Sequence, residues 1–331
     1  MKKLLIYILF LSCSALFAQP AEPFNVIDKA GKKQGYWRKY HTSGKLRYEG
    51  TFKDDKAIGV FKYYYPTGQL KATNTYSQNG KKAAAVIYYD SGKKQAQGNF
   101  IDEKKDSVWL YFNTDEKLIS SESYKLNIKN GISYAYYSSG KVADETTWLN
   151  DEKNGAWKTY WEDGQLKSKA TLNKGDIEGR MIFYHANGMV DLLGDYRNGN
   201  RDGEWLTYHP DGKVKMKELY KDGTLIKTTY VNGVFEEFYQ DEVLKSKYTY
   251  KDGKKDGDFI EYLDGAVKKM ELRKGEDGYP DETVEVITNH FPKMKGKYKN
   301  DKLDGEITIY KAGGKVDKVE IYTEGVVTGK K

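Results

Sequence analysis

One register runs through this chain with a period of 24 residues, and it leaves few folds open. Gly35, Gly59, Gly131, Gly155, Gly179 and Gly203 fall on it, and it passes through Ala83 and Ser107. It resumes six residues late at Gly233 and continues through Gly257 and Gly305. Five residues after each of these anchors stands an aromatic ring: Tyr40, Tyr64, Tyr88, Phe112, Tyr136, Tyr160, Tyr184, Tyr208, Phe238, Tyr262 and Tyr310. A short fixed period is the mark of a repeat architecture, in which each unit is too small to bury its own apolar face and must stack on its neighbours. We therefore expect a binding or structural protein rather than an enzyme.

The period also sets the class. Within the unit that opens at Gly35, an aromatic stretch ends at Tyr40 and the Thr42-Ser43-Gly44 turn follows. Leu46, Tyr48, Gly50 and Phe52 then alternate with Arg47, Glu49 and Thr51, which is the period of a half-buried strand. Asp54-Asp55-Lys56 reads as the return turn. Elsewhere Asp163-Gly164, Asn187-Gly188 and Asp211-Gly212 close the units, and Asn198-Gly199, Asp222-Gly223 and Asp252-Gly253 return to the next. Such pairs favour type I′ turns, whose two central residues need positive φ. Each unit is thus expected to be a β-hairpin, and the fold class all-β: an elongated single array of antiparallel hairpins. The 29 Tyr, 12 Phe and 6 Trp suit strands.

A second aromatic column precedes each next anchor by seven residues: Phe52, Tyr76, Phe100, Tyr124, Trp148, Tyr196, Tyr220, Tyr250 and Tyr298, with Leu172 once in its place. Two residues after the anchors, Trp109, Trp157 and Trp205 alternate with Ser133 and Met181, as if large and small side chains interdigitate. Trp37 and Tyr40 are three apart. Either the first strand carries a bulge, or aromatic residues are buried on both faces.

Residues 1–18 read as a secretory signal: Lys2 and Lys3, an apolar run from Leu4 to Leu11, and a cleavage point after Ala18. The lone cysteine, Cys13, lies inside it, so cleavage leaves a chain without disulfides or a thiolate metal site. Lipidation of Cys13 is the alternative, against a sequence context that fits it poorly. The expected layout is a signal peptide over 1–18, a linker over 19–27, hairpin repeats over 28–274, a degenerate repeat or insertion over 275–297, and a final repeat with a cap over 298–331. The net charge of +7 is spread and rich in Lys, which is no footprint for nucleic acid.

The units resemble the MORN-repeat variant of bacterial proteins often labelled YwqK-family antitoxins. The resemblance is carried by Gly155-Ala-Trp157-Lys-Thr-Tyr160-Trp-Glu-Asp-Gly164-Gln-Leu166 and Gly203-Glu-Trp205-Leu-Thr-Tyr208-His-Pro-Asp-Gly212-Lys-Val214, and spans roughly residues 28–325. It implies an antiparallel hairpin sheet with scaffolding or phospholipid-binding roles. An export signal sits badly with neutralising an intracellular toxin.

No His-Glu-x-x-His, phosphate loop, calcium loop or nucleophile elbow is present, and no cofactor or metal is expected. The always-aromatic column at Tyr40 is assigned to packing. Its neighbour, one residue on, then faces the other way. Tyr65, Tyr89, Tyr137, Trp161, His185, His209 and Tyr239 are the candidate binding stripe. The leading expectation is an exported scaffold for an unknown protein partner. Glycan or cell-wall binding, toxin inhibition and membrane-surface binding are the alternatives.

Overall fold

The structure is a computed structural model that describes residues 23–274 and 282–331. Residues 1–18, read above as a secretory signal, and Cys13 within them lie outside the described residues. The described residues form strands and no helix. The chain divides into two compact units, Met1–Ile128 and Lys129–Lys331. In the first, every strand from Lys33–Tyr40 to Leu118–Lys125 pairs antiparallel with the next in sequence. In the second, the same meander runs from Gly131–Tyr136 to Thr224–Tyr230, and again from Gly233–Phe238 to Val326–Lys330. The segment expected to be a linker ends in a short strand, Val26–Ile27, paired with Lys33 and Gln34.

The two kinds of turn differ. The return turns are of the expected type: Asp54 and Asp55 have φ of 51° and 66°, and Asn198 and Gly199 of 52° and 75°. The turn within each hairpin is not. Of Asp163-Gly164 only the glycine has positive φ, 96°. Gly164 N donates to Trp161 O, and Asp163 accepts from the Gln165 amide. This is a type I-like turn ended by one left-handed glycine, with the Asp as an Asx cap. Asp-Gly suits both geometries, and the length of the loop selects between them.

At all eleven hairpins the register slips at the always-aromatic column. Lys39 pairs with Tyr48 but Tyr40 with Leu46, so Arg47 is an extra residue on the second strand. This is a β-bulge, and it interrupts the alternation expected of Leu46 and Tyr48. The first strand keeps its parity, so Trp37 and Tyr40 lie on opposite faces.

The buried column is therefore not the one assigned to packing. Two residues after the anchors, Phe61, Ala85, Trp109, Met181, Trp205, Phe259 and Ile307 are all buried, with Trp109 and Trp205 at 0% exposure. The column five after the anchors is half-buried at most positions, and Tyr40 and Phe238 are 49% and 55% exposed. Large and small do interdigitate, across the strand pair. A Cβ on Gly50 would lie 2.4 Å from the Phe61 ring, one on Gly98 2.4 Å from Trp109, and one on Gly194 2.1 Å from Trp205. Glycine is present because a ring occupies the volume of its side chain. Where the second-strand residue is Ala170, the ring is replaced by Met181.

The two breaks in the register have structural counterparts in the second unit. The six-residue insertion makes Thr224–Tyr230 a closing strand, after which Gly233–Phe238 starts a fresh series. Tyr230 bridges the step by stacking on Phe235 at 4.2 Å. The double interval is a single repeat: Lys254–Tyr262 pairs directly with Pro292–Lys299. Between them a two-stranded ribbon, Val267–Arg273 with Glu282–Thr288, is inserted in the turn. Of the stretch 275–297 expected as a degenerate repeat or insertion, residues 275–281 lie outside the described residues, and residues 292–297 belong to the regular second strand.

Candidate functional site

The column proposed as a binding stripe serves the chain itself. Tyr65 Oη donates to Tyr88 O at 2.8 Å, Tyr89 Oη to Phe112 O at 2.8 Å, Tyr137 Oη to Tyr160 O at 2.6 Å and Tyr239 Oη to Tyr262 O at 2.9 Å. His185 Nε2 meets Tyr208 O at 3.0 Å and His209 Nε2 meets Asn232 O at 2.8 Å, as His41 meets Tyr64 O at 3.1 Å. Each link runs from residue i to the carbonyl of residue i+23, one repeat on. Tyr and His can stand in for one another in this column because each carries a polar atom at similar reach. Trp161 does not make the link, and its buried indole N–H has no partner among the described residues. All seven residues are half-buried, so their polar tips are not a free surface.

The column five after the anchors also has a polar role. Tyr64 Oη donates to Glu49 Oε1 at 2.7 Å and Tyr36 Oη to Glu49 Oε2 at 2.6 Å. Arg38 lies 3.5 Å from the same carboxylate. Tyr160 and Lys158 repeat the arrangement on Glu145. The Tyr36 hydroxyl, with Tyr64 and Arg38 behind it, holds Glu49 below its ordinary value of 4.5 against the opposing effect of burial. Burial, then the bond to Glu49, pushes the Tyr64 hydroxyl up to about 12. A depressed carboxyl pKa stabilises the fold above the unfolded value, and that stability is lost as pH falls through the folded one. Urea midpoints should thus hold steady from about pH 5 to about pH 9 and fall below about pH 5. Glu49→Gln should flatten part of that fall, and a pH profile identical to wild type would remove Glu49 from the account.

The opposite face is aromatic and, in most repeats, capped by the chain's own cations. Two residues before the anchors stand Lys33, Lys81, Lys105, Lys129, Lys153, Arg201 and Lys255. Lys33 Nζ lies 5.1 Å from the Trp37 ring and 4.8 Å from Phe52. Arg201 lies 4.3 Å from Trp205 and 5.3 Å from Tyr220. Lys105 sits over Trp109, Tyr111 and Tyr124 at 4.9, 5.2 and 5.1 Å, and donates to Tyr111 Oη at 2.8 Å. Cation–π contacts of this kind contribute about 0.5–2 kcal/mol each, more as water is excluded.

One repeat of the first unit departs from this pattern. Its cation position is Ala57, and beside it lies a groove of about 640 Å³. The floor is Phe52, Phe61, Tyr63 and Tyr76. Phe61 meets Phe52 and Tyr76 edge-on at 5.0 and 5.2 Å. Tyr63 Oη and Tyr76 Oη are 3.0 Å apart, and burial, with that bond, raises the Tyr63 hydroxyl above its ordinary value. The rim carries Asp55, Asp102 and Glu103 against Lys56 and Lys81. Ala57 lines the space with a side chain that ends at Cβ, and in the next repeat Ala85 stands where most repeats carry a large core side chain. The site was legible in the sequence as an alanine in a column of Lys and Arg, but only once that column is known to face the rings. Among the described residues no group of three or more His, Asp or Glu side chains is placed to hold a metal ion.

The variant form of the MORN repeat matches five stretches of this hairpin pattern, residues 33–54, 58–78, 153–174, 201–222 and 231–252. The chain carries MORN-variant repeats in these stretches. MORN repeats are in general protein- or membrane-interaction repeats, and an all-β array of them is typically non-enzymatic. No curated protein matches. Among solved structures, the crystal structure of TarM is 22% identical over 29% of this chain and 19% of its own, with a TM-score of 0.23. The TcdB2-TccC3-Cdc42 crystal structure is 12% identical over 87% of this chain and 18% of its own, at 0.19. The Photorhabdus luminescens Tc holotoxin pore is 12% identical over 87% and 17%, at 0.17. This MORN-repeat chain spans under a fifth of each of these, and similarity at that level carries no argument about its role.

Proposed function

We propose that this MORN-repeat protein is an exported, non-enzymatic scaffold that binds a protein partner on the aromatic face of its first unit. The observation that carries the reading is the groove at Ala57, where Phe61, Tyr63 and Tyr76 lie under no cation among the described residues, while the equivalent rings beside Lys105 lie under that lysine. A ring-lined, charge-rimmed depression suits a protein surface, since aromatic side chains supply large contact area with polar tips. The Tyr and His column offers less support for a glycan stripe, because its polar atoms are spent on the backbone. Export rests on the leader read from residues 1–18.

The test is site-specific photo-crosslinking in the source cell, with the crosslinker at Asn79 on the groove rim and, as control, at Asn173 in the second unit. A discrete protein adduct from Asn79 and none from Asn173 is the expected result. Lipid or glycan adducts alone, or equal yields from both positions, would overturn the reading. Fractionation of the same cells should place the chain outside the cytoplasm.

A further inference from the structure

Two repeats of the first unit present the same cage in two states. Ala57, Phe61, Tyr63 and Tyr76 stand 48 residues before Lys105, Trp109, Tyr111 and Tyr124. In the later repeat the cage is filled in cis: the Lys105 ammonium lies over three rings and donates to Tyr111 Oη. In the earlier one the rings are retained, the tyrosine pair is closer, at 3.0 Å against 3.4 Å, and the side chain that would fill the seat ends at Cβ. Other repeats that lack a cation here carry Ile177, Val231 or Leu303, bulkier aliphatic side chains. Ile177 packs against the core of its repeat. Ala57 is the smallest residue in the column, and the groove lies there.

We propose that this seat takes a lysine side chain of the partner, inserted in trans where Lys105 sits in cis. The inference rests on the binding role proposed above and names its chemistry. Ring faces attract a cation through their quadrupole, and the attraction grows when the cation is desolvated. The Tyr63–Tyr76 hydroxyl pair offers oxygen acceptors to an ammonium, as Tyr111 does to Lys105. The rim adds three carboxylates, Asp55, Asp102 and Glu103, against two ammoniums, Lys56 and Lys81. Among the described residues no cation lies over Phe61, Tyr63 or Tyr76, so neither rim lysine fills the seat. The groove extends along the return turn at Gln78, Asn79 and Gly80, which gives room for the backbone on either side of the inserted residue.

The experiment titrates the full chain with three probes, followed by calorimetry and by the ring resonances of Tyr63 and Tyr76. They are a pentapeptide with a central lysine between glycines, its norleucine counterpart, and butylammonium. The lysine peptide should bind at least tenfold more tightly than the norleucine peptide and than butylammonium. Ala57→Lys restores the residue common to the column, so it should fold at least as stably as wild type and weaken the lysine peptide at least tenfold. Asp102→Asn with Glu103→Gln should weaken it severalfold while leaving the melting temperature in place. Equal binding of the norleucine peptide would make the groove merely apolar, and equal binding of butylammonium would make the occupant a small amine. Either result, or undiminished binding by Ala57→Lys, overturns the proposal. If Ala57→Lys still gives the Asn79 crosslink to a protein, the scaffold reading stands and the lysine inference alone fails.

Discussion

Trp205→Ala is expected to destabilise the second unit by about 3–5 kcal/mol, the range for deleting a fully buried large aromatic side chain. No part of Trp205 is exposed. Its ring meets Tyr196 edge-on at 5.2 Å and Tyr220 at 6.3 Å, and its indole N–H donates to Asp195 O at 3.2 Å. Arg201 lies over it and Gly194 beneath. Alanine would leave a cavity that Gly194 cannot fill, a guanidinium without its ring and a carbonyl without its donor. A thin sheet has few other contacts with which to relax. Chemical denaturation followed by far-ultraviolet circular dichroism measures the loss, and hydrogen exchange should show the fastest opening in the strands Asp176–Tyr184 to Val214–Lys221. A loss below about 1 kcal/mol would mean that the column two after the anchors is not the core.

Gly194→Ala should cost about 1–3 kcal/mol or more by overpacking, because its new Cβ would lie 2.1 Å from the Trp205 ring. The backbone at Gly194 is not left-handed, so the cost is one of volume rather than of backbone strain. The chain supplies the remedy. One hairpin earlier the same two positions hold Ala170 and Met181, both buried. Gly194→Ala combined with Trp205→Met copies that pair, and should be more stable than the sum of its single variants by about 1 kcal/mol or more. A double-mutant cycle in urea measures this coupling. Simple additivity would show that the glycine and the ring do not share one space.

The period, the hairpins and the return turns were all legible in the sequence, because each rests on local chemistry: a glycine at positive φ, or an Asn-Gly pair at a two-residue turn. The assignment of faces was not. Parity along a strand can be counted from Trp37 to Tyr40, but nothing local says which parity is inside. In that column Tyr64 and Tyr160 bond across to the carboxylates Glu49 and Glu145, and the column's aromaticity was mistaken for burial. The bulge at Arg47 has no residue signature, since Arg47, Lys71 and Gln95 share no property that marks an extra residue. The neighbouring column was legible as Tyr or His but not as a link, because its acceptor is a backbone carbonyl and leaves no trace in the sequence. The groove was written as an absence, a missing lysine at 57, which acquires meaning only when Lys105 is seen to lie over its rings.

The i to i+23 links have a consequence for how such a chain can change length. Donor and acceptor occupy fixed places in successive copies, and the acceptor is a peptide group that every residue type supplies. A tandem duplication of 24 residues within a regular stretch would therefore re-create each link at both new junctions without one compensating substitution. Copy number is a nearly free variable for this architecture, whereas the six-residue insertion before Gly233 closes one series of strands and opens another, where Tyr230 stacks on Phe235.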